Sequence, residues 1–177
     1  YRESAGSGPS FMLIHGNSAS SLTFKAQLTG EFGQKYRVVA MDLPGHGESD
    51  PAAEPEKTYH MPGYAAVVAE VAQKLGLDTA VFVGWSLGGH IVLEAAPSLL
   101  PNAPGFVIFG TPPLAFPPDM DNAFLPNPAM GAAFAETLTD EQMAGFAAAC
   151  LAPDTTLNLA PFVADIARTD GRARATM

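Results

Sequence analysis

The segment Val81-Phe82-Val83-Gly84-Trp85-Ser86-Leu87-Gly88-Gly89-His90 constrains this chain more than any other. An apolar run of strand character enters Gly-x-Ser-x-Gly and leaves into residues of helical character. A serine hydroxyl is a poor nucleophile. An acyl-transfer enzyme must hold its oxygen clear of the sheet, beside a base and beside donors for the developing oxyanion. A sharp strand-to-helix turn meets these demands, and it brings neighbouring backbones so close that Gly84 and Gly88, which lack Cβ, flank the serine. The sequence therefore nominates Ser86 as a nucleophile, against the plainer alternative of a glycine-rich turn with an incidental serine.

Around that turn, strands and helices alternate. Phe11–His15, Tyr36–Met41, Ala80–Val83 and Gly105–Phe109 are short apolar runs of the kind buried on both faces of a parallel sheet. Leu22–Phe32, the stretch from Pro62 to Gly76, and Leu87–Leu100 carry helical spacing, the last broken or ended near Pro97 and Pro101. This βαβαβαβ order predicts an α/β fold, a parallel sheet with helices on both faces. Functional loops of such sheets lie at the carboxyl ends of strands, and three glycine-bearing turns fall there: His15-Gly16-Asn17, Asp42 to Ser49, and the Ser86 turn. After Gly110 the pattern changes to proline-rich connectors and helices over Asn127–Thr137, Thr139–Leu151 and Thr156–Arg168. Thr139-Asp140-Glu141-Gln142 is a capped helix start. The chain divides accordingly into a core, residues 1–111, and a helical cap, residues 112–177, set over the active edge of the sheet. The alternative is that the later helices merely pack on the main domain.

Composition narrows the function. With 47% hydrophobic and 15% charged residues the 177-residue chain reads as an ordinary soluble domain. No apolar run approaches the roughly 20 residues of a membrane span, so no membrane partner is expected and the expected location is cytoplasmic. A formal charge of −9 argues against a nucleic-acid partner, which needs a basic face. Arg168, Arg172 and Arg174 do cluster, but they read as a solvated helix face. The one cysteine, Cys150, permits neither an internal disulfide nor a cysteine-based metal site, and reads as a small helical core residue. No His, Asp or Glu spacing matches a metal motif, so neither a metal nor another cofactor is expected. Opening at Tyr1 and closing at Met177, just after a helical stretch, the chain reads as incomplete at both ends.

Three motifs in order, His-Gly-x after the first strand, Asp-x-Pro-Gly-x-Gly-x-Ser after the second and Gly-x-Ser-x-Gly after the third, resemble the α/β-hydrolase superfamily. The likeness covers essentially the whole chain. Within the superfamily, Ile14–Ser18, Asp42–Ser49, Gly84–His90, Gly110–Pro113 and Ala167–Arg174 resemble the branch that hydrolyses N-acyl homoserine lactones, the quorum-quenching lactonases. The resemblance implies an α/β-hydrolase fold with a helical cap, no cofactor, and a small-molecule lactone or ester as substrate. It implies that Ser86 attacks the acyl carbonyl while the backbone N–H groups of Leu87 and Asn17 form the oxyanion hole. The Asn17 amide would also orient the substrate. Trp85, beside the nucleophile, would either wall the acyl pocket or simply pack. Phe124, Met130, Phe134, Met143 and Phe146, with Phe116 and Met120, would line an acyl-chain pocket or form core.

The catalytic triad is incomplete in this sequence. The family places an acid and then a histidine after the serine, and after Ser86 the one histidine is His90, four residues on in the same helix and directed away from a base's position. His15 reads as a scaffold hydrogen-bonding residue, His46 and His60 as structural or solvated. Asp154, Asp165 and Asp170 follow the serine but fall in helices or loops rather than at strand ends. No acid and no base are assigned. Both are expected in a further ~80 to 100 residues, and the chain as it stands is expected to be inactive. The expected function is a serine-dependent hydrolase that opens N-acyl homoserine lactones or cleaves small carboxylic esters through a Ser86 acyl-enzyme. The alternatives are a general esterase, a carbon–carbon hydrolase or perhydrolase of the same fold, and a non-catalytic ligand-binding module.

Overall fold

Burial on both faces of the central strands organises the molecule. A computed structural model describes residues 1–114 and 123–176; Phe116 and Met120 of the expected acyl-pocket set lie outside the described residues. Strands β1 (Arg2–Glu3), β2 (Gly8–Ile14), β3 (Tyr36–Met41), β4 (Val81–Trp85) and β5 (Phe106–Phe109) form one sheet in the order β1-β3-β2-β4-β5. Met12, Ile14, Val39, Met41 and Phe82 point to one face, where they meet Tyr64 and Val68 of α4 (Met61–Lys74) and Ile91 and Val92 of α5 (Leu87–Leu99). Leu13, Val38 and Ala40 point to the other face and pack with Phe24. Each large side chain so buried contributes about 1.5–3 kcal/mol.

Strand pairing is parallel from β3 through β2 and β4 to β5. β1 runs antiparallel to β3, so the sheet is mixed rather than wholly parallel. The helix expected over Leu22–Phe32 is three pieces: a 3-10 turn (Ser21–Phe24), α1 (Lys25–Thr29) and α2 (Glu31–Lys35). Gly30 divides them, its backbone extended at φ −84° and ψ −169°. A short α3 (Pro55–Thr58) precedes α4. Helix α5 runs through Pro97, which removes one backbone donor, and ends where Leu100 turns extended ahead of Pro101.

Beyond β5 the described residues carry helices and no further strand. A 3-10 turn (Pro128–Phe134) stands where an α-helix is expected, and it is followed by α6 (Asp140–Ala149), α7 (Ala160–Arg168) and α8 (Gly171–Ala175). α6 carries the expected reciprocal cap between Thr139 and Gln142. These elements enclose a cluster of their own: Ala132, Ala133, Phe146, Ala147 and Ile166, with Met143 and Phe162 at its margin. Met143 and Phe146 are therefore core residues of this segment. Cys150 is exposed at the end of α6 rather than buried, because α6 turns only its Phe146–Ala147 side inward. Among the described residues no helix is long and apolar enough to cross a membrane, and no group of three or more His, Cys, Asp or Glu side chains is arranged to hold a metal ion.

β5 pairs with β4 alone among the described residues, and its Val107, Ile108 and Phe109 are 49%, 42% and 48% exposed. An apolar strand left open in this way is a template for association. The 177-residue chain is expected to self-associate, and Val107→Lys to raise its monomer fraction in size-exclusion chromatography with light scattering. An oligomer unchanged by the substitution would show that another surface is responsible.

Candidate active site

Strand β4 delivers the chain to Ser86, and Ser86 turns it. Its backbone lies at φ 54° and ψ −120°, a region that costs a residue with a side chain about 1–3 kcal/mol. Three hydrogen bonds hold it there. The Ser86 N–H donates to the Phe109 carbonyl at 3.0 Å, and the Ser86 carbonyl accepts from the Gly89 N–H at 2.9 Å and the Thr111 hydroxyl at 3.0 Å. A Cβ on Gly84 would overlap the Gly88 backbone, and one on Gly88 would overlap the carbonyls of Ile14 and His15. The turn is thus packed backbone to backbone, and the Ser86 side chain is left half-buried at the end of the sheet.

The turn after β2 lies against this serine. A Cβ built on Gly16 would stand 3.1 Å from Ser86 Cβ and 3.1 Å from the Trp85 ring. Leu87 opens α5, and its N–H is one of the first-turn donors that a helix leaves without an internal partner. Ser86, Leu87, Trp85 and the Gly16–Asn17 turn are therefore brought together. The Asn17 side chain is largely engaged: Nδ2 donates to the Ala133 carbonyl at 2.7 Å and Oδ1 accepts from the Ser18 hydroxyl at 3.0 Å. Among the described residues, one amide N–H and one lone pair of Asn17 remain without a partner. Trp85 packs between the Gly16 and Gly110 turns, in the margin of the cluster built on Leu13.

The four histidines have other work. His15 is fully buried; its Nε2 accepts from the Leu43 N–H at 3.0 Å, so the proton sits on Nδ1, which donates to the Gly16 carbonyl at 2.8 Å. It ties the end of β2 to the loop after β3. Burial, opposed by the Gly16 carbonyl and by Asp42, holds its basicity below the ordinary range. His46 Nδ1 donates to the Pro44 carbonyl at 3.2 Å, and burial together with the neighbouring His15 pushes its pKa down to about 3. His60 caps α4 by accepting from the Gly63 N–H. His90 is half-buried one turn along α5, its basicity lowered by burial. Among the described residues no hydrogen bond joins any of the four to Ser86.

The sequence matches the alpha/beta hydrolase family over residues 11–176. The chain belongs to that family. N-acyl homoserine lactonase AidH, solved in complex with N-butanoyl homoserine, covers 99% of this hydrolase with a TM-score of 0.92 and 43% sequence identity. The esterase RhEst1 from Rhodococcus sp. ECU1013 also covers 99% of it, with a TM-score of 0.72 and 25% identity. Pimeloyl-acyl-carrier-protein methyl ester esterase of Xylella fastidiosa is 34% identical over 113 residues, 64% of the hydrolase chain. The chain spans 62% of the lactonase, 66% of RhEst1 and 40% of the Xylella esterase.

Sequence reasoning missed the polar seam that fastens the later helices of this hydrolase to its sheet. Arg168 and Arg172 are exposed as expected of a solvated face, but Arg174 is only 4% exposed. The reason is its acceptors: the Ala135, Glu136 and Ile166 carbonyls all receive its guanidinium. Asp165 of α7 accepts from the Ser20 hydroxyl at 2.6 Å, and Asp170 accepts from the Tyr59 hydroxyl at 2.8 Å. Asp42 anchors the near side, accepting from the N–H groups of Ser21 at 2.6 Å and Glu48 at 3.1 Å. Burial pushes the Asp42 carboxyl up, but these donors outweigh it and hold it below the usual range. Burial pushes Asp165 up as well, and there it prevails.

His46 sets a pH dependence. In the folded hydrolase it stays neutral down to about pH 3, whereas in the unfolded chain it titrates near its ordinary 6.5. Between those values the unfolded state binds the extra proton, so stability is whole above pH 6.5 and is lost as pH falls toward 3. The slope is about 1.4 kcal/mol per pH unit for this one group. Urea unfolding at pH 7, 6 and 5 is expected to show it, and His46→Gln to remove that share of the slope. A slope unchanged in the variant would acquit His46.

Proposed function

We propose that this hydrolase opens N-acyl homoserine lactones with Ser86 as the covalent nucleophile. One observation carries the reading: a half-buried serine at φ 54° and ψ −120° lies under the Gly16–Asn17 turn, in a chain 43% identical to a lactonase over nearly its whole length. Ser86 Oγ attacks the lactone carbonyl and its proton passes to a histidine base. The Leu87 and Asn17 N–H groups hold the oxyanion of the tetrahedral intermediate. Collapse breaks the ring C–O bond; the alcohol oxygen of the homoserine takes the proton back from the imidazolium, leaving an ester on Ser86. Water, deprotonated by the same base, releases the N-acyl homoserine and restores the serine.

The base in this scheme is none of His15, His46, His60 and His90. It and the acid that orients it belong to sequence outside these 177 residues, which span 62% of the lactonase. Residues 112–177 serve as the cap, with half-buried Phe124 and Met130 toward the acyl tail. The free amide N–H of Asn17 is left for a polar atom of the substrate. A general carboxylic esterase working by the same steps is the second reading, favoured by the Xylella and Rhodococcus esterases.

An organophosphonate is expected to add its mass to the peptide holding Ser86 in the full-length protein, and Ser86→Ala to abolish the adduct; an adduct on another residue sinks the assignment. At fixed pH, proton release should be faster with N-acyl homoserine lactones than with unactivated linear esters of equal acyl length. Turnover of nitrophenyl esters with none of lactones leaves the esterase reading. Residues 1–177 alone, lacking a base for Ser86, should turn over about 10⁶-fold more slowly than the full-length protein. Rates within tenfold of each other would make one of the four histidines the base.

A further inference from the structure

We propose that Arg174 is a positioning residue for the oxyanion turn. The inference rests on the reading of Ser86 as nucleophile and the Asn17 N–H as oxyanion donor, and it concerns what holds Asn17 in place. Arg174 is a buried cation with no carboxylate within ion-pair distance among the described residues; Asp170, four residues before it, is bound by Arg172 instead. Burying a guanidinium is costly unless its donors are satisfied. Four acceptors do so here. Nε donates to the Ala135 carbonyl at 2.7 Å, Nη2 to Glu136 at 3.2 Å, and Nη1 to Ile166 at 3.2 Å and to the Ser18 hydroxyl oxygen at 3.4 Å.

The Ser18 contact is the one that leaves the helical segment. Ser18 is 3% exposed and sits at φ 55°, a left-handed backbone that a residue with a side chain adopts only when its surroundings enforce it. Because its oxygen accepts from a guanidinium, which can only donate, the Ser18 proton is directed onward to Asn17 Oδ1 at 3.0 Å. Asn17 in turn donates to the Ala133 carbonyl at 2.7 Å. Ala133, Ala135 and Glu136 belong to one stretch of chain, so the bonds close into a ring from Arg174 through Ser18 and Asn17 to Ala133, and along the backbone to Ala135. The ring gives Asn17 one orientation and with it one position for its N–H beside Ser86. A planar fork with five donors can serve such a ring; a point charge cannot.

Two variants separate this role from simple attachment of the helices. Ser18→Ala cuts the link to Asn17 and leaves the three carbonyl contacts of Arg174 intact; Arg174→Gln removes both. In the full-length protein Ser18→Ala is expected to keep its melting temperature within a few degrees. It should slow phosphonylation of Ser86 about tenfold or more, lower kcat more than it changes KM, and speed amide hydrogen exchange in the peptide spanning residues 16–22. Arg174→Gln should do the same and also speed exchange around residues 133–136. Phosphonylation within twofold of the parent and unchanged exchange in Ser18→Ala would overturn the proposal, leaving Arg174 as a clamp on the helices alone. A parent protein in which Ser86 takes no label would defeat the nucleophile reading instead, and the exchange data would still decide whether Arg174 orders the turn.

Discussion

The contact between the backbone of Gly88 and the carbonyls of Ile14 and His15 is the one on which the rest of the site depends. It sets how near α5 comes to the end of β2. With the helix at that distance, Leu87 opens its first turn beside Ser86 and the Gly16 turn lies on the serine. One turn along the same face of that helix, Ile91 and Val92 reach the sheet between Met12, Ile14 and Phe82. One methyl group at position 88 would lift the helix and separate all of these at once. Core packing and site geometry are therefore not independent properties of this chain, because the same close approach produces both.

The helices after β5 are held by a different kind of force. Their own cluster is small and alanine-rich, and what joins them to the sheet is a row of polar contacts: Asn17 to Ala133, Ser20 to Asp165, Arg174 to Ser18 and Tyr59 to Asp170. Asp42 and Asp165 show how finely such a seam is balanced. Both carboxyls are buried, yet donors from Ser21 and Glu48 keep one below its usual range while the other, with Ser20 as its nearest partner and Asp42 as a like charge, rises.

Much of the sheet is legible in the sequence because Phe11–Ile14 of β2, Val38–Met41 of β3, and β4 and β5 are apolar runs, each closed by a turn; the polar start of β2 at Gly8-Pro9-Ser10 is not. β1 is not, since Arg2 and Glu3 have no apolar pattern; that strand exists through its pairing with β3 and the ion pair of Glu3 with Arg37. The helix over Leu22–Phe32 fails at Gly30, where local freedom outweighs the spacing of Leu22, Leu28 and Phe32. At the site, the Ser86 turn is legible because close approach demands glycine at positions 84 and 88, whereas Leu87 and Asn17 enter through the family resemblance. The burial of Arg174 is not: its helix is five residues long, too short to display a face, and its acceptors lie 8 to 156 residues earlier in the chain.

The backbone at position 86 also selects its side chain. At φ 54° the Cβ already stands close to the following carbonyl, and a second branch on Cβ has no staggered position free of the main chain. Threonine offers the same hydroxyl with a similar acidity, yet this turn rejects it for its methyl group. A torsion angle thus narrows the choice of side chain at this turn before any chemistry begins: one that is unbranched at Cβ is admitted, and one that is branched there is turned away.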